Sequence, residues 1–136
     1  MRRTTIRNSA VWLALAVPVL LSGCSDEYGH ERLPDEAPEA ARVREMIAAV
    51  REAGPDRIDA VASEQAAGDL DDRQRQALVA ALREVAEADA AELRKLDAYG
   101  PDVLRASIEL RQADARREVH LLVVRKQDRL LWAGPN

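Results

Sequence analysis

Apolar residues recur with the period of an α-helix through the first half of the chain. This spacing predicts a first helix over residues 39–53, with Pro38 suited to its start and Gly54 to its end. A shorter second helix is predicted to end near Gly68. The apolar positions on the inner faces of these two helices are Val43, Met46, Ile47, Val50, Ile58, Val61 and Ala62.

A third helical pattern begins at Asp71 or Asp72, whose carboxylates can accept hydrogen bonds from the free amides at a helix start. The pattern continues to Tyr99, and Gly100-Pro101 then ends it. We therefore predict a single helix from Asp71 or Asp72 to Tyr99. Its apolar positions are Leu78, Leu82, Val85, Leu93 and Leu96.

After Pro101 the spacing of apolar residues changes to every second position, which indicates strands. Residues 102–117 hold the first strand and a polar turn, although their composition also suits a helix, and this alternative stays open. Residues 118–125 form the second strand, and a tight connection over 126–128 leads to a third over 129–133. The alternating apolar positions of the first strand are Leu104, Ala106, Ile108 and Leu110.

The order of these elements predicts an α+β fold, with N-terminal helices packed on a C-terminal three-stranded antiparallel sheet. The predicted domain covers residues 39–136. Between Val43 and Trp132 there are 25 residues of Val, Ile, Leu, Met or Trp, enough for one small core. Residues 24–38 are polar and contain two prolines, and they are predicted to form a flexible tether behind Cys24.

The N-terminal segment has the pattern of a signal peptide. Three arginines precede an apolar run of 12 residues, Ala10–Leu21. A membrane-spanning helix needs about 20 apolar residues, so this run fits a signal-peptide core better than a membrane span. Residues 1–23 are therefore predicted to be removed from the mature protein. The Arg2-Arg3 pair leaves the export route open between the general secretory and twin-arginine pathways.

The motif Leu21-Ser22-Gly23-Cys24 resembles the bacterial lipobox, which has an apolar residue, two small residues and a cysteine. The resemblance implies that the thiol of Cys24 receives a diacylglyceryl group and that the chain is cleaved between Gly23 and Cys24. Cys24 is the single cysteine of the chain. The alternatives are an ordinary secretory signal with an incidental cysteine and an uncleaved single-span anchor.

The net charge of the chain disfavours some classes of partner. The whole chain has a formal net charge of −4; removal of residues 1–23 takes away three arginines and no acid, which leaves −7. An acidic surface disfavours both nucleic acid and anionic lipid headgroups. We therefore expect no nucleic-acid partner and attachment to the membrane through the lipid on Cys24 alone. The expected location is the extracytoplasmic face of the cell membrane or of the outer membrane.

Two residues of the predicted sheet are candidate contacts for a ligand or partner. His120 could act as a polar or basic group if Glu109, Glu118 or Arg105 lies beside it, or it could be an ordinary strand histidine. Trp132 could anchor a partner or close the core. The shared spacing of Leu130 and Trp132 favours the core.

Other motifs offer little chemistry. The acidic stretch Gly68–Asp72 lacks the spacing and the closing Glu of a calcium loop, so helix capping explains it better. The sequence has no phosphate-binding glycine loop, no nucleophile elbow and no paired-cysteine or two-histidine metal motif. We expect no catalytic residue, no metal and no cofactor.

The C-terminal pattern Val119–Trp132, an apolar strand followed by a charged turn and a tryptophan-bearing strand, resembles the nuclear-transport-factor-2-like cone. In that family a glycine is common at the turn, where this chain has Asp128-Arg129. The resemblance implies helices followed by a curved antiparallel sheet and transfers no catalytic residue.

Together these observations favour an envelope lipoprotein with a non-enzymatic binding or accessory role, whose partner is an envelope protein or a small molecule. One alternative is a small cone-type ligand carrier or enzyme with a pocket between sheet and helices. Another, which requires residues 102–117 to be helical, is a helical envelope chaperone or inhibitor.

Overall fold

The computed structural model describes residues 31–135 and consists of helices packed on one face of an antiparallel sheet. The elements are β1 (Glu31–Arg32), α1 (Pro38–Ala53), a 3₁₀ turn (Pro55–Arg57), α2 (Ile58–Gln65), α3 (Asp72–Glu87), β2 (Ala90–Ala98), β3 (Val103–Gln112), β4 (Ala115–Lys126) and β5 (Arg129–Pro135). The strands form one sheet in the order β1-β2-β3-β4-β5.

The predicted α+β class and the first two helices are confirmed, and the predicted number of strands is wrong. The described residues form a sheet of five strands where three were expected. One extra strand is β2, which occupies residues that the pattern assigned to the third helix; α3 ends at Glu87, not at Tyr99. The other is β1, which lies in the predicted tether.

A contact from α1 marks the end of α3. The Arg51 guanidinium donates hydrogen bonds to the carbonyl oxygens of Val85, Ala88 and Asp89, at 3.0, 2.8 and 3.1 Å. The last carbonyls of a helix have no partner within the helix, and these bonds satisfy them from another element. Arg51, which bonds to the end of α3, is therefore more than 30 positions away in sequence. Local sequence patterns do not reveal such a contact.

A β-bulge explains why β2 has helix-like spacing. The pairing of β2 with β3 shifts between Leu93 and Lys95, so that Arg94 is an extra residue in β2. Leu93 and Leu96 therefore both belong to or pack on the core although they are three positions apart. Without the bulge, that spacing would place them on opposite faces of the strand.

The strand interpretation of residues 102–117 is confirmed by β3, and the helical alternative is wrong. The polar turn is shorter than expected, because Gln112 pairs with Ala115 and leaves a two-residue loop. The next loop also has two residues, because Lys126 pairs with Arg129.

The sheet includes residues that precede the predicted domain boundary at residue 39. Glu31 and Arg32 pair with Ala98 and Asp97, and the amide of Leu33 donates to the carbonyl of Leu96 at 2.8 Å. The Leu33 side chain packs against the core. This apolar contact attaches to the sheet a segment that its polar composition had suggested to be a tether.

The core fills the space between the helices and the sheet. Each large apolar side chain buried there contributes about 1.5–3 kcal/mol relative to an exposed one. The largest fully buried side chains are Trp132, Ile58, Leu78, Leu82, Leu96, Leu104, Ile108, Leu121, Val43, Val50, Val85 and Val123. Within residues 31–135, none of the helices has the length and apolar character needed to cross a bilayer.

Candidate functional site

The predicted lipidation site lies outside the described residues. Gly23 and Cys24, between which cleavage is predicted, precede the first described residue, Glu31. The lipid anchor on Cys24 therefore remains a prediction from the sequence. The candidate residues of the sheet can be placed directly.

His120 lies on β4 between Val119 and Leu121, which both belong to or pack on the core. Because side chains alternate along a strand, His120 projects from the opposite face of the sheet. Its Nδ1 atom is 3.0 Å from the Ser107 hydroxyl on β3, and its Nε2 atom is 3.5 Å from a carboxylate oxygen of Glu118. The sheet thus aligns a hydroxyl, an imidazole and a carboxylate.

These three side chains are of the types found in a nucleophile–base–carboxylate triad, but a substrate cannot reach the Ser107 hydroxyl. Ser107 is 0% exposed, so its oxygen cannot meet a substrate in this conformation. The His120–Glu118 distance of 3.5 Å also lies at the limit for a hydrogen bond. The arrangement ties β3 to β4, and the partly exposed His120 ring is the group that another molecule can contact.

The other predicted neighbours of His120 have separate partners. Glu109 lies opposite Glu118 in the β3–β4 ladder and is 3.9 Å from the Arg116 guanidinium. Arg105 donates from Nη1 to the Tyr99 hydroxyl at 2.9 Å. Of the three predicted neighbours, only Glu118 approaches the imidazole of His120 closely.

Sequence reasoning missed two buried polar residues on this face, Asp97 and Ser107. Asp97 is 1% exposed and lies opposite Arg105 in the β2–β3 ladder. Ser107 lies opposite His120. Ser107 shares the polar positions of the predicted strand with Arg105 and could have been singled out there. Asp97 could not, because its segment was predicted as helix.

Trp132 occupies the core and is not a surface contact. Its side chain is 0% exposed, and its backbone carbonyl accepts a hydrogen bond from the amide of Ala67 at 2.8 Å. The indole Nε1 is buried without a hydrogen-bond partner among the described residues. Of the two interpretations of this residue, core closure matches the structure and partner contact does not.

The acidic stretch before α3 is a helix cap. An Asp71 carboxylate oxygen accepts from the Gln74 amide at 2.7 Å, and the Gln74 side chain accepts from the Asp71 amide at 2.8 Å. This reciprocal pair is a capping box. In the described part of the chain, no three or more His, Cys, Asp or Glu side chains form a group that could hold a metal ion.

Two concave surfaces flank the outer edge of β2. The larger, of about 520 Å³, lies between that edge and α1; the smaller, of about 320 Å³, also contacts β3. Neither is lined by His120 or Trp132. The larger cleft is lined by Arg32, Asp35, Arg44, Ile47, Ala91, Glu92, Leu93 and Arg94.

Comparison of the chain with protein-family models, curated proteins and solved structures gave no match, so its function is argued from its own residues and geometry.

Proposed function

We propose that this protein is a bacterial lipoprotein that is anchored through Cys24 on the extracytoplasmic side of a membrane and acts by binding and not by catalysis. The observation that carries the proposal is the sequence Leu21-Ser22-Gly23-Cys24, which directly follows an arginine-bearing, apolar segment of signal-peptide length. The only thiol of the chain stands where lipidation requires one.

The position of β1 is compatible with the anchor. Glu31, the first residue of β1, follows Cys24 by seven positions. β1 is therefore close in sequence to the predicted lipidated end of the mature chain. Two or three acyl chains suffice for stable membrane attachment, because each buried CH₂ contributes about 0.8 kcal/mol.

Two features of the domain favour binding at its surface over catalysis or transport in an internal pocket. The hydroxyl–imidazole–carboxylate alignment has its hydroxyl, that of Ser107, fully buried. The space between sheet and helices, where a cone-type carrier or enzyme would need a pocket, is occupied by core side chains such as Trp132, Leu78 and Leu121. The clefts of the described domain lie outside this core, along the edge of β2 and elsewhere on the surface.

The test compares the native chain with Cys24→Ala, and uses Ser25→Ala as the matched control next to the modified residue. We expect the native protein and Ser25→Ala to lose residues 1–23, gain acyl mass and sediment with membranes. Cys24→Ala should gain no acyl mass. Intact-mass spectrometry measures cleavage and acyl mass, and membrane fractionation measures membrane association. Density-gradient separation then assigns the protein to the cell membrane or to the outer membrane.

Two results would contradict the anchor. The native protein could be cleaved without lipid and appear in the medium, as an ordinary secreted protein does. Alternatively, the native protein could keep residues 1–23 and carry no acyl mass while it sediments with membranes, as an uncleaved anchor does.

A further inference from the structure

Three arginines from three different elements line the 520 Å³ cleft between α1 and the edge of β2. They are Arg32 of β1, Arg44 of α1 and Arg94 of β2. The volume of this cleft lies within the range of about 300–1,000 Å³ that ligand pockets have. A guanidinium is planar and can donate two parallel hydrogen bonds to a carboxylate or a phosphate. Three such groups around one cleft therefore indicate a site for an oxyanion.

The fold holds each of these arginines at the cleft in a different way. Arg32 donates to the Arg94 carbonyl oxygen at 3.4 Å, so its guanidinium lies beside the β2 edge. Arg94 is the extra residue of the β-bulge, and bulges at sheet edges re-aim a side chain. Arg44 precedes Ile47 by three positions on α1, and Ile47 is 4% exposed and part of the core. Packing of Ile47 thus fixes this part of α1 against the cleft.

The positive charge of the cleft is available to a ligand. Within residues 31–135, Arg44 forms no ion pair and no side-chain hydrogen bond. Arg32 is 3.7 Å from Asp35 and Arg94 is 3.2 Å from Glu92, and all four of these side chains are more than half exposed. Exposed ion pairs contribute little stability, so an incoming anion can displace the two carboxylates. Three guanidiniums against two carboxylates leave the cleft with a net charge of +1.

The cleft also has an apolar part. Its uncharged lining residues are Ile47, Ala91 and Leu93, which all belong to the core or pack against it. A bare inorganic anion would leave this apolar surface without a contact. A polyanion would be repelled by the net charge of −7 predicted for the mature chain. The best fit is a molecule that has a single anionic group and an apolar body.

We propose that this cleft binds an amphipathic molecule with one carboxylate or phosphate group, which Arg44 contacts between Arg32 and Arg94, while the apolar body lies on Leu93 and Ile47. The proposal deepens the binding role proposed above, and it does not depend on the lipid at Cys24. A dissolved ligand and the headgroup of an anionic lipid share this chemistry. In a chain lipidated at Cys24, the eight steps to Arg32 span at most about 29 Å, so both sources can reach the cleft.

Photoaffinity labelling of the full chain in its membranes tests the site. The probe is para-azidobenzoate, which has one carboxylate and an apolar ring, and peptide mass spectrometry locates the label. We expect labelling within residues 44–47 and 91–94, and excess benzoate should prevent it. The matched probe para-azidobenzyl alcohol has the same ring without the charge. At equal concentration it should label the cleft about fivefold less or weaker still, because it cannot form charge-assisted hydrogen bonds.

Substitutions of both signs test the role of charge. Arg44→Ala is expected to lower labelling of the cleft by para-azidobenzoate about fivefold or more. Arg73→Ala, which removes an exposed arginine of α3 outside the cleft, is the matched control and should leave labelling unchanged. Asp35→Asn and Glu92→Gln should each raise labelling about twofold or more, because each removes a carboxylate that competes with the ligand. Damage to the fold does not predict such an increase.

Reconstitution into vesicles distinguishes the two sources of the ligand. The native protein is placed in vesicles of phosphatidylcholine with and without phosphatidylglycerol, whose headgroup carries one anionic phosphate. A loss of cleft labelling in the presence of phosphatidylglycerol identifies the anionic lipid as the ligand. Labelling that is equal in both kinds of vesicle identifies a dissolved molecule.

Three results would overturn the proposal: equal labelling of the cleft by the charged and the neutral probe, labelling of Arg44→Ala at the level of the parent chain, or no increase in either carboxylate variant. Protease resistance of each variant verifies that it is folded. Cys24→Ala separates this proposal from the lipid anchor, because the cleft should be labelled in that variant although it gains no acyl mass. An acylated native chain without label in the cleft would contradict this proposal and leave the anchor intact.

Discussion

At the scale of single residues, the two hairpin loops show where local conformation is strained. Ala113 has φ 53°, and Gln127 and Asp128 have φ 51° and 68°. Two-residue hairpin loops favour positive φ because the resulting turns match the twist of the strands. Asp128 is in the left-handed region, which aspartate tolerates better than most residues.

Ala113 gives the clearest prediction, because alanine has no compensating side-chain hydrogen bond. We expect Ala113→Gly to raise the free energy of unfolding by about 1 kcal/mol. The Ala113 amide, which donates to an Asp89 carboxylate oxygen at 2.7 Å, is retained in this variant. Urea unfolding followed by circular dichroism measures the change.

Ala115→Gly is the matched control for this substitution. Ala115 begins β4 without a positive φ, so the same change should lower the free energy of unfolding by about 0.5–1 kcal/mol. Equal effects at both positions would show that the Ala113 conformation is not strained.

At the scale of elements, the sequence predicted those boundaries that local chemistry determines. The stop at Gly54-Pro55, the Asp71 cap and the alternation in β3 are all confirmed. The end of α3 and the start of β2 were missed, because they depend on Arg51 and on the register shift at Arg94. The Arg51 hydrogen bonds and the register shift both arise only when the elements pack together, so local sequence patterns do not show them.

Arg51 should therefore be important for stability. Arg51→Ala leaves the final carbonyls of α3 without their partly buried donors, and we expect it to lower the free energy of unfolding by about 2 kcal/mol. Arg44→Ala on the exposed side of the same helix should change it by less than about 0.5 kcal/mol. Equal losses in urea unfolding would assign the effect to helix propensity and not to the cap.

The candidate site was only partly predictable for the same reason. His120 and Glu118 are two positions apart in one strand, and their proximity follows from the alternation of side chains. Ser107 and Asp97 reach this face through pairing across strands, which depends on register. Trp132 was assigned to the core from its spacing with Leu130, which is also in the core.

At the scale of the whole molecule, the net charge of −7 predicted for the mature chain disfavours ionic attachment to an anionic membrane surface and leaves attachment through the lipid. If the lipid on Cys24 is the only attachment, washing membranes with about 1 M salt, where the Debye length is about 3 Å, should release none of the protein. Detergent should release all of it. Release by salt, measured by immunoblot of the wash, would instead indicate an ionic contact.

The early start of β1 sets a limit on distance. A fully extended chain spans at most about 3.3–3.6 Å per residue, so the seven steps from Cys24 to Glu31 cover no more than about 25 Å. For a protein lipidated at Cys24, β1 cannot lie farther than this from the lipid-bearing cysteine, whatever the conformation of the intervening residues. For such a lipidated protein, we expect partners that are membrane neighbours or molecules that approach the bilayer surface.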